Sequence, residues 1–369
     1  MATGVTEHRD VVVVGGGQAG LALGWHLARQ GRDFTILDAA SQPAAAWRNR
    51  WESLKLFTSV RYDSLPGRPF PGDPDSYPGR DEVVAYLTDY ARDLPVELES
   101  DVRTVHPADG GYRVELAGRT IDAEQVVIAT GPFQVPRVPD IAAELHGSVE
   151  HFHSTDYRRP DALPPGPVLV VGGGNTGFQI AAELTATHEV HLSIGSRQTP
   201  LPQRVLGRDL FRVLDRFGVM QKTADSRIGR RLQANEDTLI GSRPRTLRRL
   251  GATLRPRTVA ADGTQVRFED GTSMTVSSVI WATGYRLDHS FVEVPVFDGG
   301  RVVHQRGVTA SPGLYFLGLP WMYTRGSALL GWVGEDAEYI AGRIAESAPA
   351  IPRARQPRRA ATSTEKETA

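Results

Sequence analysis

Apolar and polar positions along the chain fall into two long stretches of one design. In residues 9–38, RDVVVVGGGQAGLALGWHLARQGRDFTILD, four consecutive valines predict a strand, a glycine run predicts a tight turn, and helical spacing of apolar residues predicts an amphipathic helix ending at Gly31. A second strand closes on Asp38. Residues 166–197, GPVLVVGGGNTGFQIAAELTATHEVHLSIGSR, repeat the plan, with Val190, Leu192 and Ile194 alternating in the closing strand. Each copy leads to a predicted strand pair and then to a strand ending in Ala-Thr-Gly, VVIATG at 126–131 and VIWATG at 279–284. The two Ala-Thr-Gly strands lie at nearly the same remove from their glycine loops, a correspondence that a chance glycine triplet would not produce.

The pattern predicts an α/β protein with two Rossmann-like dinucleotide-binding domains, the second inserted into the first. Residues 1–150 and 290–348 form the first and residues 160–285 the second. After the second Ala-Thr-Gly come a hairpin-like stretch, the apolar strand LYFLGL and a helix expected from about Ser327 to Glu346, returning to the first domain. Pro-rich stretches near 132–139 and 160–167 are expected crossings. A helical insertion is expected at about 204–250, with Arg227, Arg230, Arg231, Arg243, Arg245, Arg248 and Arg249 as a solvated basic face or an aid to nucleotide attraction. The tail 349–369, rich in Arg, Pro, Ala and Thr, reads as disordered.

In Gly15-x-Gly17-x-x-Gly20 the first glycine permits the turn, the second lets the backbone approach a pyrophosphate, and the third lets helix and strand pack closely. The helix N-terminus supplies N–H donors to phosphate, and Asp38 is placed to accept from a ribose diol. The second triplet, Gly172-x-Gly174-x-x-Gly177, lacks that carboxylate; at the equivalent strand end stand Ser196, Arg197 and Gln198. An acidic group there would repel a 2′-phosphate and Arg197 would pair with one, which favours NADPH; otherwise Arg197 is an ordinary surface arginine.

Composition narrows the partners. With 369 residues and 40% hydrophobic content the chain has room for two cores. A net charge of −1 gives no global pull toward nucleic acid or anionic lipid, so a small-molecule substrate is expected. No apolar run nears the ~18 residues of a membrane span, and MATGVTEHRD has no signal-peptide core, so the expectation is a cytoplasmic protein without membrane partners. The absence of cysteine excludes thiolate metal sites and any Cys-x-x-Cys relay. The alternating His151 and His153 do not complete a coordination sphere, so no metal is expected. Oligomeric state leaves no signature.

The paired modules, with AWRNRWESLKLFT at 46–58, LPQRVLGRDLF at 201–211 and YFLGLPWMYTRGSALLGWVG at 315–334, resemble the flavin-containing and Baeyer–Villiger monooxygenase superfamily, in its short bacterial form. The resemblance reaches nearly to residue 346. It implies FAD in the first module and NADPH in the second. It also implies hydride transfer to FAD, addition of dioxygen at flavin C4a, and oxygenation of a small sulfide, amine or ketone.

Carried over residue by residue, Trp47 and Arg48 match the family's Trp-Arg near the flavin, with core packing the alternative for Trp47. Thr130, Gly131, Thr283 and Gly284 are expected beside the cofactors, and Gly326 and Ser327 begin a helix facing the flavin pyrimidine edge. Gln18, Ala19, Val102, Asn175, Thr176 and Gly318 complete the cofactor-binding candidates.

The family's linker fingerprint, Phe-x-Gly-x-x-x-His, is degenerate in LHGSVEHFHSTDY at 145–157: Leu145 replaces Phe, and Gly147 and His151 keep the spacing. His153 and Ser154 become candidates for positioning near the nicotinamide, unless His151 and His153 are ordinary surface histidines. The ending at Tyr157, in place of the Baeyer–Villiger subgroup's Trp, tilts toward sulfur or nitrogen oxygenation. Phe57 stands where many relatives carry an Asn that supports the oxygenated flavin, which keeps a non-oxygenating dehydrogenase or oxidase as the rival reading. Trp47, Trp51, Trp321 and Trp332 are expected either to line a dry cavity or to pack in cores.

Overall fold

The computed structural model describes residues 6–234 and 238–347, so the expected tail at 349–369 lies outside the described residues. Strand β1 (Thr6–Val14) ends in Val11, Val12, Val13 and Val14, all buried, as a parallel strand covered on both faces requires. It pairs in parallel with β2 (Phe34–Leu37). Helix α1 (Gln18–Arg29) lies between them and stops where Gly31 takes a φ of +65°, a left-handed stop suited to glycine. The remaining strands of this sheet are β3 (Val96–Glu97), β4 (Val102–Ala108), β5 (Gly111–Leu116), β6 (Arg119–Ile128) and three from the end of the chain.

The second sheet is wholly parallel. It consists of β7 (Glu150–His153), β8 (Val168–Val171), β9 (Val190–Ser193), β10 (Thr253–Arg255) and β11 (Ser278–Trp281), in the order β10-β9-β8-β11-β7. Helix α2 (Asn175–Leu184) joins β8 to β9. The first sheet then resumes with β12 (His304–Gln305), β13 (Val308–Thr309) and β14 (Leu314–Phe316). Its path is β12-β13-β14-β6-β1-β2-β3, with β4 and β5 attached to β6 as an antiparallel ribbon. All strands of the second sheet thus fall, in sequence, between β6 and β12 of the first.

Two expected elements differ. The segment 204–250 is only partly helical: it holds the short helices Leu210–Arg216, Arg227–Gln233 and Pro244–Arg249, a hairpin of Arg204–Val205 with Arg208–Asp209, and a strand Thr238–Ile240 paired with Thr199–Leu201. The last helix, α3 (Val333–Glu346), starts six residues after Ser327. Gly331 is the physical reason: a Cβ there would stand 1.5 Å from the Tyr62 carbonyl oxygen, so this backbone is pressed against another segment instead of turning helically. Ser327 lies in a separate 3₁₀ turn, Arg325–Ala328.

Candidate cofactor and active site

The two glycine loops are built alike. Gly15 has φ +111° and a Cβ would meet the Ala129 carbonyl at 2.5 Å; Gly172 has φ +130° and a Cβ would meet the Ala282 carbonyl at 2.2 Å. Each first glycine therefore makes its turn against its own Ala-Thr-Gly strand. At Gly20 and Gly177 a Cβ would stand 2.0 and 1.9 Å from the carbonyls of Gly15 and Gly172, so helix and loop touch backbone to backbone. The middle glycines differ. Gly17 and Gly174 have ordinary extended dihedrals and nothing within 4 Å of the Cβ position. Neither strain nor packing asks for glycine there, and each faces open space at the start of a helix with no acidic first turn and no side-chain cap.

Around the first loop, Gly16 N donates to Asp38 Oδ2 at 2.7 Å and Ala40 N to Oδ1 at 2.8 Å. Ser100 N donates to the Asp38 carbonyl, which brings the start of β4, with Val102, beside this carboxylate. Gln18 links three elements: its Nε2 donates to the Ala328 carbonyl at 2.9 Å and its Oε1 accepts from Trp47 Nε1 at 3.1 Å. Gly318, φ +80°, packs on Ala19, whose Cβ would be 2.7 Å from a Cβ at that position. Arg48 is exposed at the end of the four-residue helix Ala45–Arg48. Ser327 is buried and its Oγ accepts from Tyr323 N and Thr324 N, so it closes its own turn.

Around the second loop the register corrects the expected equivalence. Val14 pairs with Leu37 and Val171 with Ser193, so Ile194, not Ser196–Gln198, follows the strand where Asp38 does. Gln198 nevertheless reaches back: its Nε2 would lie 2.7 Å from a Cβ on Gly173, much as Asp38 Oδ2 lies 2.8 Å from one on Gly16. An amide thus stands where the first loop has a carboxylate. Arg197 is exposed. Asn175 Oδ1 accepts from Ile240 N at 2.9 Å, tying the start of α2 to the 204–250 segment; Thr176, next to it, is half-buried.

His153 and Ser154 end β7, both buried, whereas His151 is exposed. His153 Nδ1 accepts from Thr155 N at 3.2 Å, so its proton resides on Nε2, which donates to the Gly284 carbonyl at 3.0 Å. Burial holds this imidazole below its ordinary pKa, keeping it neutral. Both nitrogens are occupied, so His153 fixes the second Ala-Thr-Gly turn and has no free site for proton transfer. Thr283 Oγ1 donates to the Arg137 carbonyl. In the first Ala-Thr-Gly turn Gln134 Nε2 donates to Thr130 Oγ1 at 2.7 Å and to the Gly131 carbonyl at 2.9 Å, a clamp with no local sequence signal.

Phe57 stacks on Phe211 at 5.9 Å in a cluster with Tyr62 and Trp332; Tyr62 and Trp332 are parallel at 5.3 Å. Trp47 and Trp51 join the main core instead and Trp321 is half-buried, so the four tryptophans do not gather into one wall. One residue next to this cluster escaped sequence reasoning. Asp63 is fully buried; its Oδ1 accepts from Thr58 Oγ1 at 2.6 Å, its Oδ2 has no partner among the described residues, and burial pushes its pKa up to about 7. No local sequence signal marks it: the stretch after SLKLFT reads SVRYDS, mixed polar and apolar.

A model of the pyridine nucleotide-disulphide oxidoreductase family matches residues 12–205, just over half of the chain. A flavin-containing monooxygenase from Stenotrophomonas maltophilia superposes with a TM-score of 0.77 at 30% identity, covering 92% of this chain and 99% of that one. The chain belongs to this family, within its class B flavin-containing monooxygenases. An "uncharacterized oxidoreductase CzcO-like" from Geobacillus kaustophilus (strain HTA426) is 41% identical over 91% of this chain and 98% of its own length. The indole-3-pyruvate monooxygenase YUCCA1 of Oryza sativa subsp. japonica is 28% identical over 89% of each. This class B protein is a flavoprotein oxidoreductase with parallel-sheet Rossmann-like cores. The sequence has no cysteine, so no thiol of this chain takes part in its chemistry. Among the described residues no helix is long and apolar enough to cross a membrane.

Proposed function

We propose that the protein is an NADPH-dependent FAD monooxygenase acting on a small sulfide, amine or ketone. The carrying observation is the matched open face at Gly17 and Gly174, each before an uncapped helix N-terminus with the charge preference of an anion site: two such starts in one chain. Residues 1–150 and 290–348 are the FAD domain in this reading, and residues 160–285 the NADPH domain. When bound, FAD supplies hydride acceptance and dioxygen activation and NADPH supplies the hydride.

The chain's own residues bind, orient and exclude water. Gly15, Gly17, Ala19 and Gly20 take the FAD diphosphate, Asp38 the ribose, and Gln18, Trp47, Arg48, Val102, Thr130, Gly131, Gly318 and Ser327 surround the rest. Gly172, Gly174, Asn175, Thr176 and Gly177 take the NADPH diphosphate. The Gln198 amide, in place of a carboxylate, leaves a 2′-phosphate unrepelled, and Arg197 is exposed to meet it. His153 holds Gly284, with Thr283, in position for the nicotinamide. The Phe57–Phe211–Trp332 cluster is the dry side of the site.

Phe57 in place of Asn supports one rival, electron transfer from NADPH to oxygen or a quinone without oxygenation. Stopped-flow absorption separates them: NADPH-reduced enzyme mixed with oxygenated buffer is expected to show a transient band between those of reduced and oxidised flavin, decaying faster with a sulfide present. Direct reoxidation with stoichiometric peroxide in the presence of substrate selects the rival.

A further inference from the structure

Arg325 is half-buried, yet among the described residues it has no hydrogen-bond acceptor, no carboxylate and no aromatic ring as partner. Other partly buried arginines of this chain are engaged: Arg306 with Asp336 at 2.9 Å, Arg119 with Glu7 at 2.9 Å, Arg80 with Asp81 at 2.8 Å. Burial alone acts on the Arg325 guanidinium, lowering its pKa, and no neighbouring charge compensates. An uncompensated cation held partly out of water is costly, and a group so perturbed is a candidate to pair with something outside the chain.

Its place in the fold says what kind of thing. The turn Arg325–Ala328 is held at its far end by Gln18, from the glycine loop, through the Ala328 carbonyl. At its near end Thr324 bridges to Thr223, and Ala224 N donates to the Tyr323 carbonyl at 2.7 Å, both from the 204–250 segment. Leu329 packs with Phe57, Trp332 and Phe211. Arg325 therefore stands at the junction of the proposed flavin site and the aromatic cluster, at the end of the turn away from the glycine loop.

We propose that Arg325 is the receptor for an anionic group brought by a ligand of this site, foremost a carboxylate on the substrate. The other source of such a charge is the pyrimidine edge of reduced flavin. This inference rests on the flavoprotein monooxygenase reading and narrows its substrates to acids.

The test uses flavin-loaded enzyme, wild type, Arg325→Met and Arg325→Lys, with (phenylthio)acetate and thioanisole as probes, two sulfides that differ by a carboxylate. Binding is followed by the flavin absorption change, without turnover. Wild type is expected to bind the acid at least tenfold more tightly than thioanisole, Arg325→Met to lose that preference, and Arg325→Lys to keep part of it. If the flavin is the source, the sulfides bind alike and the reduction equilibrium against a reference dye moves at least tenfold toward oxidised flavin in Arg325→Met. In either case Arg325→Met melts no lower than wild type, because an unpaired cation has been removed. A lowered Tm with neither binding preference nor dye equilibrium changed makes Arg325 structural and overturns the proposal, as does no change in any readout. Failure of the parent reading shows separately, as wild-type flavin that NADPH does not reduce.

Discussion

Asp63 carries a carboxyl group entirely inside the protein, bonded on one oxygen to Thr58 and on the other to nothing among the described residues, with Asp209 adding like charge at a distance. All but the Thr58 bond favour the protonated form, and the pKa rises to about 7 from the ordinary carboxylate value near ~4. Between those values the folded state holds a proton that the unfolded state has released. The contribution of Asp63 to stability is therefore fully present below about pH 4 and is lost as pH rises through about 7, on the order of a few kcal/mol. Asp63→Asn, which keeps an acceptor for Thr58 and cannot ionise, is expected to melt above wild type at pH 8, with the gap closing toward pH 5. Parallel Tm curves for the two proteins would mean that Asp63 does not ionise in this range. Arg325, a second uncompensated group near the proposed site, sits in a stretch that the sequence marks by resemblance alone. Its lack of a partner among the described residues is a three-dimensional fact.

The end of β7 shows what an element adds to a residue. His153 and Ser154 stand out in the sequence through a degenerate fingerprint, which leaves His153 open between positioning and a place on the surface. Pairing of β7 beside β11 decides the burial, since it sets His153 opposite Trp281 and within reach of the Gly284 carbonyl. His153→Ala is expected to cost roughly 1–3 kcal/mol by leaving that carbonyl and Thr155 N without their partner. His153→Gln should recover part of the loss, and the pH profile of flavin reduction by NADPH should carry no limb on the acid side of the ordinary imidazole range that either substitution removes. Such a limb would make His153 a proton carrier. The strands and glycine turns were legible because local patterning specifies them: an apolar run, then a first glycine, Gly15 or Gly172, whose dihedrals no other residue adopts cheaply. The start of the last helix was not legible, because it depends on Gly331 meeting Tyr62 across the fold. The same holds for Gln18 joining Trp47 to Ala328 and for Gln134 clamping Thr130.

At the scale of the whole molecule, the two glycine loops lie on separate sheets, each set against its own Ala-Thr-Gly strand. Their likeness was readable as a repeat, and the open faces at Gly17 and Gly174 give that repeat its physical meaning. Aspartate at either position tests it, because Asp is as good a helix N-cap as glycine or better, while its charge repels a diphosphate. Compared with wild type stripped of its nucleotides, both variants are expected to melt no lower. Gly17→Asp is expected to purify without flavin. Gly174→Asp should keep its flavin, show a KM for NADPH raised at least tenfold, and reoxidise at the wild-type rate after chemical reduction. The most direct measurement is flavin content and NADPH KM for this pair side by side. Loss of flavin in one and of NADPH affinity in the other is the result expected of two nucleotide sites; wild-type values in both would contradict it.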